Sequence, residues 1–265
     1  MDIAKKLGLG GHSFISELGN DPAASFDEQC AIVSACLESG ITLFDTTYYQ
    51  ERVALGNVLK RLGRRSEARI LAWNFFRNPA DDKVIQPYSP YEAHRIDEML
   101  SELQTDVIDL LVIHVDDDRE RQSRELELAS RWIAEGKVRE AALGMVRAKD
   151  VDLLPENHPV SYVLAPYNAF NQGSLDVFRK AADKGIRSIA LSPFIRGYKL
   201  DEIGGDHART ADILLRWVCH QPIVESVIVS MRRADYVENN LNAVRKGPLN
   251  AEEEAMLQGW IDRLG

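Results

Sequence analysis

Short apolar segments alternate with helical segments along this whole chain, and this alternation limits the possible folds more than any other feature. Segments rich in β-branched and apolar residues predict strands over 6–11, 40–45, 69–74, 109–114, 138–145, 161–165, 187–191 and 224–229. Helical periodicity and stop signals predict helices over 26–39, 51–62, 90–103, 120–135, 148–154, 174–184, 207–220, 234–245 and 251–263. Regular alternation of this kind is typical of an α/β protein with a parallel sheet.

Eight strand–helix units without an internal linker favour a (β/α)8 TIM barrel. A doubly wound sheet is the alternative, but no Gly-rich turn opens a helix as that fold's nucleotide site requires. We therefore expect residues 1–265 to form a single barrel domain, with an additional helix at the C-terminal end.

Charge and cysteine content limit the partners that this chain can have. The formal net charge is -9, so there is no electrostatic case for binding nucleic acid or an anionic membrane. Cys30, Cys36 and Cys219 have no metal-ligand spacing, and no apolar run has the length of a signal peptide core or a membrane span. We expect a cytoplasmic protein that takes a small-molecule substrate and binds no metal; the sequence leaves its oligomeric state open.

Ionisable groups stand at the ends of two predicted strands. Asp45 closes the second strand, with Tyr48 and Tyr49 just beyond it, and His114 closes the fourth. A parallel barrel gathers the C-terminal ends of its strands around one mouth, where catalytic groups collect. We expect Asp45, one of the two tyrosines and His114 to meet there. Either tyrosine could be the one, and Asp45 or His114 alone could instead be a structural cap or a core histidine.

Other strand ends carry candidate substrate-binding residues. His12 follows the first strand, and Trp73 closes the third, where simple aromatic packing is the alternative explanation. Arg147 follows the fifth strand, Arg196 the seventh, and Arg232 and Arg233 the eighth. Loops after the last two strands of such barrels often bind phosphate, so these arginines could hold a phosphate or a carboxylate. Each of them alone could also be a solvated surface arginine.

Three segments carry a family resemblance: GITLFDT over 40–46, LQTDVIDLLVIH over 103–114 and EGKVR over 135–139. Weaker pieces lie at 166–168, 191–194, 226–230 and 238–241. In these segments, nearly from end to end, the chain resembles the aldo-keto reductase superfamily. The resemblance implies a (β/α)8 barrel, here without the N-terminal hairpin that often precedes the first strand in that family.

The resemblance also implies a catalytic tetrad of Asp, Tyr, Lys and His that reduces carbonyls with NADPH. Asp45 and His114 match their family positions, and Tyr48 or Tyr49 could supply the tyrosine. At the family's lysine position, at the end of the third strand, we place Asn74. A tyrosine titrates near pH ~10 unless a neighbouring cation stabilises its phenolate, and an asparagine carries no charge. A reductase built on this tetrad is therefore expected to be weak at neutral pH.

The family's nicotinamide contacts are replaced as well. The positions that hold the nicotinamide amide and stack on its ring correspond to Val146, Arg147, Leu164 and Leu191. What the resemblance leaves for binding the nucleotide end of a cofactor is the set Ser192, Arg196, Ser230, Arg232 and Asn240.

Three hypotheses follow from these residues. The first, which we favour at this stage, is an enzyme that needs no cofactor and uses Asp45, a tyrosine and His114 as acid–base groups, as a lyase or isomerase, on a small carbonyl or sugar-like (carbohydrate) substrate. The second is an NADP(H)-dependent carbonyl reductase, an oxidoreductase with a weakened cofactor site. The third is a catalytically silent binding protein, since fold alone does not decide function.

Overall fold

A closed barrel of parallel strands forms the centre of the protein. The structure is a computed structural model that describes residues 3–18, 22–81, 83–87, 89 and 92–264. Within these residues, eight parallel strands pair in sequence order, and the last pairs with the first. The strands are Leu7–Leu9 (β1), Leu43–Thr46 (β2), Arg69–Trp73 (β3), Ile108–His114 (β4), Val138–Gly144 (β5), Val160–Pro166 (β6), Arg187–Leu191 (β7) and Ser226–Val229 (β8). The predicted (β/α)8 barrel is confirmed.

Helices surround the barrel. The α-helices are Phe26–Glu38 (α1), Tyr49–Leu62 (α2), Arg95–Leu103 (α3), Arg119–Ala134 (α4), Ala148–Asp152 (α5), Leu175–Asp183 (α6), Tyr198–Ile203 (α7), His207–Cys219 (α8), Ala234–Arg245 (α9) and Ala251–Leu264 (α10). Short 3-10 turns occupy Ile3–Lys6, Gly11–Phe14, Arg65–Glu67 and Ile195–Gly197. Among the described residues, no helix is both long and apolar enough to cross a lipid bilayer.

Local sequence signals explain where helices begin and end. Ser25 caps α1 in a reciprocal pair with Glu28: the Glu28 amide donates to the Ser25 hydroxyl, and the Ser25 amide donates to the Glu28 carboxylate. Gly63 ends α2 with a positive φ of 66°, a conformation that glycine adopts without strain. These signals lie in the sequence, and the predicted bounds of both helices agree with the structure at those ends.

Some predicted bounds differ from the structure. The helix predicted from residue 51 begins at Tyr49, one half-turn earlier. The helix predicted over 90–103 begins at Arg95, and residues 90 and 91 lie outside the described residues. The short α7 carries no strong periodic signal and was not predicted. Before β1, the described chain forms the 3-10 turn at Ile3–Lys6 rather than a hairpin.

Alternation along the strands decides which side chains enter the barrel. One apolar cluster takes every second residue of several strands and fills the interior, with the members Leu43, Leu71, Trp73, Leu110, Val112, Ala142, Tyr162, Leu164, Ile189 and Ile228. Phe44, Ile70 and Ala72 point the other way, into the layer shared with the helices. Asp45 and Trp73 therefore face inward at the upper end of β2 and β3, where the packed interior gives way to the mouth.

Candidate active site

A cavity of about 1050 Å³ opens at the C-terminal ends of the strands. At the barrel mouth its lining includes Gly11, His12, Asp45, Tyr48, Trp73, Phe75, His114, Met145 and Leu191. The same cavity continues across the ends of β7 and β8 to α8 and α9, where its lining includes Ser192, His207, Asp212, Ser230, Arg232, Tyr236, Asn239, Asn240 and Lys246. Most of the sequence-predicted site residues therefore share one cavity.

Asp45 is a buried carboxylate beneath the mouth. Only 7% of the residue is exposed, and the Trp73 indole Nε1–H donates to its Oδ1 at 2.9 Å. Burial, and next the nearby Glu51, raise the pKa of Asp45 to about 7; His12 and hydrogen bonds from Trp73 and the Gly11 amide act in the opposite direction. Asp45 therefore takes up a proton at a higher pH than an ordinary aspartate does.

Trp73 contacts Asp45, whereas Asn74 lies on the other side of β3. Asn74 is fully buried, and its Oδ1 accepts a hydrogen bond from the His114 backbone amide at 2.9 Å. Its Nδ2 has no hydrogen-bond partner among the described residues, and Asn74 does not line the cavity. The side chain that meets Asp45 from β3 is thus an indole, and Asn74 connects the end of β3 to the end of β4. A direct catalytic role for Asn74 stays an untested prediction.

The structure separates the two candidate tyrosines. Tyr48 lines the cavity, is 8% exposed and precedes the first turn of α2. Its ring is nearly parallel to the His12 imidazole, with centroids 5.9 Å apart, and meets the Phe75 ring edge-on at 5.4 Å. Tyr49 begins α2 and packs under the Arg77 guanidinium, 5.0 Å from the ring centroid, outside the cavity lining. Tyr48 is therefore the tyrosine of the mouth.

Glu51 is a site residue that the sequence analysis missed. Its side chain is fully buried, and its Oε1 lies 2.7 Å from the His12 Nδ1. Its Oε2 accepts hydrogen bonds from the Thr47 and Tyr48 backbone amides at 2.6 and 3.2 Å. A glutamate three residues after a helix N-cap is a recognisable sequence pattern, but only the fold shows that this carboxylate also reaches His12.

His114 packs at the opposite end of the aromatic lining. Its ring lies 5.7 Å from that of Phe75 and 6.3 Å from that of Trp73, between centroids. Burial lowers the pKa of His114, although a hydrogen bond to the Val115 carbonyl acts in the opposite direction. The Nδ1 lies 3.0 Å from that carbonyl, which can only accept, so the neutral ring carries its hydrogen on Nδ1 and offers Nε2 as an acceptor.

The loops beside Tyr48 and Phe75 are tied to the barrel by one buried arginine. Arg52 has a fully buried side chain whose guanidinium donates to the Thr47, Trp73 and Phe75 carbonyls at 3.1, 3.4 and 2.9 Å. Its Nε also donates to the Glu102 carboxylate at 2.5 Å. This planar group fixes the ends of β2 and β3 relative to each other.

The predicted arginine cluster is only partly assembled. Arg232 lines the cavity but is buried, and it donates to the Ile15 and Glu17 carbonyls at 2.6 and 3.2 Å. Arg147 is not among the cavity-lining residues and forms ion pairs with Asp150 and Asp117, which raise its pKa. The side chain of Arg196 lies outside the described part of the structure. Ser192, Ser230 and Asn240 do line the cavity, as predicted for a nucleotide end.

Metal binding has no support in this part of the molecule. Among the residues that the structure describes, no group of three or more His, Cys, Asp or Glu side chains is placed to hold a metal ion. The three described cysteines are unpaired thiols.

A barrel with Asp45, Tyr48 and His114 at its mouth and a long groove over β7 and β8 agrees with the resemblance seen in the sequence. The model of the Aldo/keto reductase family matches residues 6–207, and the chain belongs to this family. Among curated proteins, the chain is 24% identical over 209 residues to Aldo-keto reductase YhdN of Bacillus subtilis (strain 168). That match covers 73% of this chain and 60% of YhdN, so the chain spans less than two thirds of that relative's length.

Solved structures of similar fold include two members of the same family. Aldo-keto reductase AKR11C1 from Bacillus halodurans, a holo form, superposes with a TM-score of 0.77 at 21% identity, covering 96% of this chain and 91% of that one. An aldo/keto reductase from Klebsiella pneumoniae in complex with NADP and acetate gives a TM-score of 0.75 at 20% identity, with coverages of 96% and 90%.

These relatives correct one of our expectations. We favoured an enzyme without a cofactor, and that preference is wrong: the similar structures are a holo form and an NADP complex. The expected lyase or isomerase reaction has no support in any of these proteins. The apolar residues Val146, Leu164 and Leu191 argue against a cofactor when the sequence is considered alone. The sequence does not show the length of the polar groove that lies beyond them.

Proposed function

We propose that this protein is an NADP(H)-dependent oxidoreductase that interconverts a carbonyl and an alcohol on a small oxygenated substrate. One observation carries the proposal: the cavity at the Tyr48 and His114 mouth is continuous with the groove over β7 and β8. A dinucleotide needs both parts, because its reactive ring has to reach the substrate while its phosphates stay at the strand ends. The NADP complex of the Klebsiella pneumoniae relative, on the same fold, agrees with this assignment.

The residues along the groove fit a dinucleotide. Hydroxyl and amide groups of Ser192, Ser230 and Asn240 suit phosphate and ribose oxygens. Lys246 lies at the far end, where it forms an ion pair with Asp212 of the same lining. At the mouth, Met145 and Leu191 offer an apolar surface to the reactive ring in place of the polar contacts of the family. We expect binding mainly through the nucleotide end, and hence an affinity below that of a member with both sets of contacts.

The mouth sets the conditions for chemistry. When bound, NADPH supplies the hydride that reduces a carbonyl carbon. The chain supplies the rest: Trp73 and Phe75 form apolar walls that exclude water from the reacting centre, and Arg52 holds those walls in position. The proton for the carbonyl oxygen has to come from one of the ionisable groups at the mouth.

The substrate proposed here is a small carbonyl compound or a sugar-like molecule. Aromatic and apolar walls beside two histidines suit a molecule with an apolar face and one or two oxygens. We also propose a cytoplasmic location, supported by the unpaired thiols of Cys30, Cys36 and Cys219.

Cofactor titration tests the proposed function. The chain has four tryptophans, and Trp73 lines the mouth, so NADPH and NADH binding can be followed by tryptophan fluorescence. We expect micromolar binding of NADPH and turnover of a small aldehyde or ketone panel. Absence of binding at millimolar concentrations of both cofactors, with a folded protein by circular dichroism, would remove the proposal.

A matched pair of variants locates the binding. Asn240→Asp puts a negative charge into the groove and is expected to weaken NADPH binding about tenfold or more, because it opposes the phosphates. Asn57→Asp, on the exposed side of α2, introduces the same charge away from the groove and is the control. Equal affinities of the two variants would place the cofactor elsewhere.

A further inference from the structure

The end of β3 carries Trp73 and Asn74 in this chain, where the family resemblance leads us to expect the lysine that supports the tyrosine. A tyrosine donates effectively near neutral pH only when a cation stabilises its phenolate, since its unperturbed pKa is about 10. The indole of Trp73, a neutral group, occupies the inward position at the end of β3 and bonds to Asp45. The neutral form of His114 carries its hydrogen on Nδ1, where the Val115 carbonyl 3.0 Å away already accepts it.

A histidine–carboxylate pair stands on the other side of Tyr48. His12 lines the cavity, and its Nδ1 lies 2.7 Å from the buried Oε1 of Glu51. A carboxylate that accepts from Nδ1–H fixes the ring orientation and favours the imidazolium, the arrangement that makes a histidine an effective acid–base group. The parallel stack of His12 on the Tyr48 ring further restrains the imidazole.

The backbone beside the His12–Glu51 pair leaves space for the Glu51 carboxylate at Gly11. Gly11 lies directly above Glu51, and a Cβ atom at this position would come within 2.2 Å of the Glu51 Oε2 and 2.8 Å of the Asp45 carbonyl oxygen. The Thr47 and Tyr48 amides hold the second carboxylate oxygen. Only a glycine leaves room for the carboxylate to pass under the His12 segment.

The charges that face His12 come from several elements. Glu51 and Asp45, from α2 and β2, are acidic and favour its cation. Tyr48, just before α2, presents its ring nearly parallel to the imidazole. Arg232, after β8, lines the same cavity but points its guanidinium at the carbonyls of Ile15 and Glu17. Glu51, 2.7 Å from the His12 Nδ1, is therefore the charged group directed at the imidazole, whereas the guanidinium of Arg232 is directed away.

We propose that His12 is the acid–base residue of this site and that Glu51 is its positioning residue. The inference rests on the proposed function. In reduction, the Nε2–H bond of the imidazolium breaks as an O–H bond forms on the carbonyl oxygen; the C=O π bond opens, and a hydride that NADPH would supply forms the new C–H bond. The neutral imidazole then regains a proton from solvent through the open cavity. In the reverse direction it accepts the proton of the alcohol.

Histidine titration by NMR tests the pair without cofactor or turnover. In protein with ¹⁵N-labelled histidine, His12→Gln identifies the His12 signals among the six histidines. We expect Glu51→Gln to lower the pKa of His12, because the carboxylate partner 2.7 Å from its Nδ1 is lost. An unchanged His12 pKa in Glu51→Gln overturns the inference, whatever the enzyme does.

Kinetics with matched variants tests the role. His12→Gln is expected to lower kcat by roughly 10²- to 10⁴-fold, the usual contribution of an acid–base group, and to leave the NADPH affinity within about twofold. Tyr48→Phe is expected to cost about tenfold or less, with the pH profile preserved. His94→Gln, at an exposed position before α3, is the matched control. Glu51→Gln is expected to shift the pH profile of kcat/KM toward lower pH.

The outcomes separate the two proposals. If Tyr48→Phe removes turnover and His12→Gln does not, tyrosine is the acid and this inference fails, while the proposed reductase function stands. If wild-type protein binds NADPH and reduces no carbonyl, the function fails, and the NMR titration still decides whether the His12–Glu51 pair exists. A thermal melt of each variant excludes unfolding as the cause of any loss.

Discussion

The two sides of the barrel mouth differ in chemical character. On the β1–β2 side, His12, Glu51 and Asp45 bring ionisable groups together, two of them buried. On the β5–β7 side, Met145 and Leu191 line the cavity and Leu164 lies fully buried beneath. Carbonyl reduction adds a proton to the carbonyl oxygen and a hydride to the carbonyl carbon. Under the proposed function, the proton would come from the β1–β2 side, and the reactive ring of the cofactor would lie against the apolar β5–β7 side.

The largest effect is expected from a substitution of Gly11, which packs against the Glu51 carboxylate on the ionisable side of the mouth. Gly11→Ala places a methyl group within 2.2 Å of the Glu51 carboxylate and 2.8 Å of the Asp45 carbonyl, so the carboxylate has to leave His12. We expect a loss of roughly 1–3 kcal/mol in unfolding free energy, by overpacking, and a fall in kcat of about a hundredfold. Urea denaturation and steady-state kinetics measure the two effects.

Gly259→Ala is the control for that substitution. Gly259 lies in α10, and nothing stands within 4 Å of a Cβ atom built there. The same methyl group is expected to raise stability by about 0.5–1 kcal/mol, the helix preference of alanine, with no effect on kcat. Equal behaviour of the two variants would mean that the packing above Glu51 is not tight.

A smaller effect is expected from removing the buried charge of Asp45. Its pKa of about 7 in the folded protein, against 3.8 in an unfolded chain, means that the folded state binds the extra proton between these values. Stability is therefore lost as the pH rises from about 4 to 7. Asp45→Asn keeps an acceptor for Trp73 and is expected to raise the unfolding free energy by roughly 1–2 kcal/mol at pH ~8.

The same variant at lower pH provides the internal control. At pH ~4, Asp45 is protonated in the folded wild-type protein, and the two proteins should melt at nearly the same temperature. A stabilisation that does not change between pH ~4 and ~8, or a loss of stability at pH ~8, would show that the charge of Asp45 is compensated in the fold.

The smallest effect is expected from a substitution of Leu191 on the apolar side of the mouth. Leu191 lines the cavity at the end of β7, one of the positions that the family resemblance assigns to contact with the nicotinamide. Leu191→Tyr is expected to tighten NADPH binding about three- to fivefold, since an aromatic stack contributes about 0.5–1.5 kcal/mol. Leu191→Met, of similar volume, is the control by fluorescence titration. Weaker binding in the tyrosine variant would place the ring elsewhere in the cavity.

Much of the fold follows from the sequence because its signals are local and repeated. The bounds of β7 and α9 agree with the predicted ranges 187–191 and 234–245, since glycines and polar residues stop both elements sharply. The positions of Asp45 and His114 at strand ends also follow from apolar runs that stop at a polar residue. Barrel closure then brings these two residues to one cavity.

Two features of the site could not be predicted from the sequence. One depends on which residues of β3 face the barrel interior, and the other depends on the residue at which α2 begins. Trp73 and Asn74 are neighbours, and which one meets Asp45 depends on whether residue 71 or 72 enters the barrel, a parity that an all-apolar strand does not show. Starting α2 at residue 49 rather than 51 turns Tyr49 outward and Tyr48 inward. A shift of half a helical turn therefore separates a site residue from a surface residue.

Arg52 connects the start of α2 to the ends of β2 and β3. Tyr48, Glu51 and Arg52 belong to one continuous stretch at the start of α2, and the guanidinium of Arg52 anchors that stretch to the carbonyls after β2 and β3. Glu51, Tyr48 and Arg52 therefore lie within five consecutive residues, and a change that shifts the start of α2 would move all three together. The groove over β7 and β8 is built from other elements and would not move with them.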